Sequence, residues 1–115
     1  QDILNFANDN NDVRLTRVLK EKIVSDENLK NSTNADTLDR GLGLNCFNEK
    51  NVYKIKCGEA INVGSNFQQF FITDTGLTFI MDKHQITVGV AGNPEISFTW
   101  DELKPFMNPN FKLPL

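Results

Sequence analysis

Apolar residues recur along the chain with two different spacings, and the change of spacing divides it. Over residues 12–23, Val13, Leu15, Val18, Leu19, Lys22 and Ile23 follow one another at three- and four-residue intervals, while Arg14, Arg17, Lys20 and Glu21 fall mainly on the opposite side. That period predicts an amphipathic helix beginning near Asp12. The second half changes to short segments rich in aromatic and β-branched residues: Phe70-Phe71-Ile72-Thr73, then Leu77-Thr78-Phe79-Ile80-Met81. Asp74-Thr75-Gly76 between them suits a three-residue hairpin with its glycine in the left-handed region. Further on, Ile86, Val88 and Val90 alternate with Thr87 and Gly89, and Ile96 and Phe98 alternate with Ser97 and Thr99, with Gly92-Asn93-Pro94 breaking the chain between the two runs. Alternation of this kind is expected of strands with one face on a core. In Thr99-Trp100-Asp101-Glu102, a threonine N-cap and a glutamate three residues on form a capping box for a helix running to about Met107.

These elements predict an α+β fold: an antiparallel β-meander of about four strands packed with an N-terminal amphipathic helix and a short C-terminal helix. Leu77, Phe79 and Met81 lie on one side of their strand, and Thr78 and Ile80 on the other. One twelve-residue helix cannot cover both faces. The second face or its loops are therefore left for another segment or for a partner.

The connecting stretches read as follows. Ile3, Leu4 and Phe6 anchor a polar start, and residues 8–12 form a loop that leads into the helix. Residues 25–40 decay into Asp, Glu, Asn, Ser and Thr and read as a flexible insertion, with a second cap at 25–27 and a further helical turn at 35–39. Gly41-Leu42-Gly43-Leu44 lacks the Lys-Ser/Thr of a phosphate-binding loop and reads as an irregular connector. Val52-Tyr53-Lys54-Ile55-Lys56 alternates well enough for an edge strand whose lysines face water.

Length and charge narrow the function classes. At 115 residues the chain is read as a single domain (1–115) with one core. A net charge of −3 supplies no basic stripe for phosphates, which disfavours nucleic acid and a membrane surface alike. No run of 18 apolar residues and no basic-then-apolar start is present, so the chain is expected to be soluble, without membrane insertion and not itself a targeted precursor.

Candidate chemistry is sparse. Cys46 and Cys57 stand eleven residues apart, with neither a CxxC motif nor a second ligand pair. A local disulfide is the better reading, adding about 3 kcal/mol in the chain-entropy model, with two unrelated buried thiols as the alternative. His84, the one histidine, follows Asp82 by two residues, and on a strand both project to the same face. That pair permits a small metal-dependent hydrolase, but no second histidine or carboxylate cluster completes a site, and a polar strand end explains it better. Asp101 and Glu102 sit at a helix start, where negative charge complements the helix dipole without catalysis. Asn31-Ser32-Thr33 matches a glycosylation acceptor, a triplet that arises by chance in such a loop. Most of the aromatic residues should be core, and Trp100, Phe106 and Phe111 are the ones expected to stay partly exposed as an interaction patch.

The stretch Phe71-Ile72-Thr73-Asp74-Thr75-Gly76-Leu77-Thr78-Phe79, followed by His84-Gln85-Ile86, Val90-Ala91-Gly92, Glu95-Ile96 and Asp101-Glu102-Leu103, resembles the C-terminal domain of the RsiV anti-sigma factor and related bacterial envelope proteins of unknown function. The likeness extends to residues 12–23. Two departures stand out: His84 replaces an aromatic, and Val88-Gly89 stands where Pro-Tyr is usual. The resemblance implies an α+β domain outside the cytoplasmic membrane, often the second half of a larger protein, with one member that binds lysozyme as a sensor of envelope attack.

Together these readings make the chain a non-enzymatic, extracytoplasmic binding or sensing module of a bacterial envelope protein, with a protein or glycan partner such as lysozyme. They call for no catalytic residue, cofactor or metal. The expected binding surface is Trp100, Phe106, Phe111 and His84. The competing readings are the hydrolase built on Asp82 and His84, and a structural half-domain without its own ligand.

Overall fold

The computed structural model of the chain describes residues 3–6, 10–57, 63–82 and 93–111. Helix α1 (Asn11–Ser25) forms where the three- and four-residue spacing places it, and it buries Val13, Leu15, Leu19 and Ile23. Asn10 enters it in the left-handed region at φ 56° without a side-chain cap. The Asp12 carboxylate instead accepts the Val13 N–H at 2.8 Å.

The stretch expected to be a flexible insertion is anchored. Asp26 accepts the Asn28 N–H at 2.8 Å to turn the chain, and Leu29 is buried. Helix α2 (Ala35–Gly41) then starts on Asn34, whose side-chain oxygen accepts the Thr37 N–H at 2.9 Å. Leu38 and Leu42 are buried beside α1, and Lys20 and Asp39 pair across the two helices at 2.7 Å. The polar composition concealed two apolar residues at the right spacing to pin the segment down. Gly43, at φ 82°, reverses the chain into a 3-10 turn at Leu44–Cys46.

A 3-10 turn at Val63–Phe67 buries Val63, Asn66 and Phe67 and leads into the sheet. The buried Asn66 amide is satisfied by donating to the Leu42 carbonyl at 3.0 Å. Strands β1 (Phe70–Ile72), β2 (Gly76–Ile80) and β3 (Glu95–Thr99) form an antiparallel sheet in the order β1-β2-β3. Phe79 lies opposite Phe70 on one side and Ile96 on the other, and Leu77 opposite Ile72 and Phe98. The fold is α+β as expected, with three of the about four expected strands among the described residues. The strand expected at residues 86–90 lies outside them, and β2 pairs directly with β3.

The hairpin is where the sequence places it, but Gly76 serves another purpose. It opens β2 and is not among the residues with positive φ. A Cβ at this position would lie 1.8 Å from the Phe98 carbonyl oxygen, so the glycine is required by the close approach of β3. The turn itself is organised by the Thr73 hydroxyl, which accepts the Gly76 N–H at 3.1 Å.

Helix α3 (Trp100–Leu103) carries the expected capping box: Thr99 Oγ1 accepts the Glu102 N–H at 3.2 Å, and Glu102 Oε1 accepts the Thr99 N–H at 2.9 Å. It tightens into a 3-10 turn at Lys104–Phe106. The following residues tie down the start of the chain, since Asn5 N–H donates to the Phe106 carbonyl at 2.8 Å and Asn108 N–H to the Ile3 carbonyl at 2.7 Å. At the centre, rings run from Phe6 to Phe67 to Phe79 to Phe98, each within 5.6 Å of the next, and Leu15, Leu19, Ile23, Leu77 and Leu103 pack in the same core.

Candidate functional site

Of the residues read as possible chemistry, those that are described are not brought together. Among the described residues no group of three or more His, Cys, Asp and Glu converges as a metal would need. Asp82 is exposed and lines a cleft of 410 Å³ with Asn66, Gln69, Met81 and Asn93. His84 lies outside the described residues. Glu102 has a structural role: Lys22 and the Thr99 backbone N–H beside it hold its carboxyl below the ordinary glutamate range, as suits a cap and an ion pair.

The aromatic patch is only partly as expected. Trp100 and Phe111 are half-buried and pack on each other, with ring centroids 6.3 Å apart. Phe106 is corrected to a core residue: it is 6% exposed, and the Arg14 guanidinium lies 5.3 Å from its ring centroid. The 3-10 turn after α3 rotates it inward under the first helix.

A different surface is displayed more openly. Cys46 and Cys57 form the expected disulfide, with Cα atoms 5.6 Å apart. The loop they close holds no edge strand. Residues 52–56 make one antiparallel bridge, Phe47 to Tyr53, and then wind into a 3-10 turn at Ile55–Cys57. So short an alternation does not extend into a ladder, and among the described residues it pairs with none of the three strands.

The loop is nevertheless built as a rigid unit. Asn48 turns it, its side-chain oxygen accepting the Lys50 N–H at 2.8 Å and the Val52 N–H at 3.2 Å, and its own N–H donating to the Val52 carbonyl at 3.0 Å. Asn51 takes the left-handed conformation at φ 64°, one that asparagine tolerates better than most residues. Arg17 reaches across from α1 and grips the turn twice, its Nε donating to Asn51 Oδ1 at 2.6 Å and its Nη2 to the Asn48 carbonyl at 2.8 Å. Phe47 and Tyr53 meet edge to face at 5.7 Å, and Lys54 N–H donates to the Cys46 carbonyl at 2.7 Å.

This scaffold presents apolar side chains to water. Ile55 is 92% exposed and Val52 is 52% exposed. An isoleucine that gains nothing from burial in its own fold, on a loop held by a disulfide and a helix-borne arginine, has the form of a preorganised contact. Sequence reasoning placed Arg17 on a solvated helix face and Ile55 on a strand. The available signal was the asparagine-rich turn between the two cysteines, which marks a closed loop and not a ladder.

The family model described as "Protein of unknown function (DUF3298)" matches residues 2–101. The chain belongs to this family, and the matched span takes in α1, the stapled loop and the three strands. No curated protein and no solved structure matches the chain.

Proposed function

We propose that this domain is a non-enzymatic, extracytoplasmic binding or sensing module of a bacterial envelope protein of the RsiV kind, and that it presents the stapled loop 46–57 to a partner. The observation that carries this reading is the exposure of Ile55 and Val52 on a loop fixed by Cys46–Cys57 and by Arg17. Ordering entropy is already spent before a partner arrives, so apolar contact converts more fully into affinity. The disulfide supports a compartment that keeps thiols oxidised. No helix among the described residues is long and apolar enough to cross a membrane. Sequence likeness over residues 71–79 to the RsiV kind favours an envelope partner, with lysozyme the first to test and peptidoglycan fragments the second.

Calorimetric titration of the oxidised protein with lysozyme, and separately with soluble peptidoglycan fragments, tests the proposal. Saturable binding at one site, weakened at least tenfold by Ile55→Ser together with Val52→Ser, is the expected result. Reduction of the disulfide should weaken it as well. Heat with neither ligand, or binding unchanged in the double variant, would overturn the reading and favour a structural half-domain.

A further inference from the structure

We infer that the outer face of the sheet and the cleft at its end together form a binding site for a short neutral oligosaccharide. Alternation along the strands sorts the side chains into two faces. Phe79 and Ile96 lie side by side, as do Leu77 and Phe98, and all four are core. Phe71, Thr78 and Ser97 form the row between these pairs and stand on the opposite face. The next row of that face is Gln69, Ile80 and Glu95, because Ile80 N–H donates to the Gln69 carbonyl at 2.9 Å and Ile80 lies opposite Glu95.

The register of β2 on β3 continues past the strands. Met81 N–H donates to the Pro94 carbonyl at 2.8 Å, which sets Asp82 opposite Asn93. The 410 Å³ cleft lies at this end, where Gln68, Gln69, Asp82 and Asn93 line it with Ile80 and Met81. Gln69 and Ile80 thus belong to both the cleft and the outer face. Phe71, 44% exposed, follows Gln69 on the same face at about 7 Å along β1, a span of one to two sugar rings.

The lining decides the class of ligand. Its volume falls within the range of small-ligand sites, about 300–1,000 Å³, but such sites hold apolar molecules with mainly apolar walls, and amides and a carboxylate dominate here. No lysine or arginine lines the cleft, and Asp82 with Glu95 in the adjoining row would repel a phosphate or a carboxylate. That leaves an uncharged ligand dense in hydroxyl groups. The planar ends of Gln68, Gln69, Asn93 and Asp82 can each engage two neighbouring hydroxyls, which both donate and accept. The exposed Phe71 ring offers an apolar face for the C–H side of a sugar ring. Beside it, the exposed Ser97 hydroxyl stands 2.9 Å from that of Thr78 and adds a further polar contact. A peptide would call for apolar pockets to receive its side chains, and the cleft provides few.

Val52 and Ile55 take no part in this surface, so it stands or falls separately from the stapled loop. The test titrates the isotopically labelled, oxidised chain with neutral tetrasaccharides built from glucose, mannose and N-acetylglucosamine, following the side-chain NH2 signals of Gln68, Gln69 and Asn93 and the Phe71 amide. Saturable shifts of these signals with at least one neutral tetrasaccharide are expected. Phe71→Ser and Gln69→Ala, both at exposed positions, should each weaken that binding by about tenfold, the loss of one good contact, while Val52→Ser with Ile55→Ser should leave it unchanged. Silence with all three sugars would overturn the proposal, as would binding that survives both Phe71→Ser and Gln69→Ala. Tighter binding of tetragalacturonate or of the deacetylated, cationic glucosamine tetramer would contradict the neutral class, and shifts with tetra-alanine alone would give the cleft to a peptide.

Discussion

Lys22 Nζ lies 2.7 Å from Glu102 Oε2, while the other carboxylate oxygen of Glu102 accepts the Thr99 N–H. One side chain thereby caps α3 and ties it to α1. Lys22 also stands 4.8 Å from the centroid of the Phe98 ring, over the edge of the core. The two helices that the sequence predicts separately are joined at this point, and the joint sits on β3.

The joint makes stability depend on pH in a defined direction. Lys22 and Thr99 lower the Glu102 pKa in the folded state, so folding is favoured by the charged form. The contribution is fully present above the unfolded glutamate value and is lost as pH falls through the lower folded value. The Glu102 side chain is 38% exposed, so screening keeps its pairing with Lys22 below about 1 kcal/mol. Urea unfolding should therefore find Glu102→Gln less stable than the unmodified chain at neutral pH, with the gap closing in strong acid. A gap that is constant across this range would contradict the assignment.

Gly76→Ala should be among the most disruptive single substitutions. Its new Cβ would meet the backbone of Phe98, which cannot move without opening the β2–β3 ladder. A loss of about 3 kcal/mol or more is expected in denaturant unfolding, as for overpacking at a site that cannot relax. Gly→Ala at an ordinary open turn would change stability far less, so a loss under about 1 kcal/mol would refute the close-approach explanation.

Tyr53→Phe should act in the opposite sense. The Tyr53 hydroxyl oxygen is buried and has no hydrogen-bond partner among the described residues, while its ring keeps the contact with Phe47. Removing an unsatisfied polar atom and retaining the ring should leave stability unchanged or raise it by about 1 kcal/mol. Thermal unfolding of the two proteins side by side decides it, and a clear loss would mean that the hydroxyl is bonded in solution.

What was legible in the sequence was whatever rests on local period and local caps. The spacing of Val13, Leu15, Leu19 and Ile23, the Thr99–Glu102 capping box and the alternation of Leu77, Phe79 and Met81 each have a short-range physical cause, and each is found in the structure. What was not legible depends on residues distant in sequence. Leu29 and Leu38 look like isolated apolar residues in a polar loop until α1 is placed beside them. Gly76 looks like a turn glycine until β3 is laid against it, and Phe106 like a tail residue until Arg14 covers it. The candidate site was half visible. The disulfide followed from the cysteine count, but the Arg17 grip that helps hold the loop spans 34 residues and has no local signal.

Amide spectra of the isotopically labelled, oxidised chain recorded with increasing lysozyme test the central claim most directly, because they report each residue of the loop at once. The expected result is that the largest shifts cluster at residues 46–57, with Val52 and Ile55 foremost and Arg17 moving with them. Saturating shifts confined to the Trp100–Phe111 surface or to the cleft beside Asp82, with the loop unmoved, would contradict it.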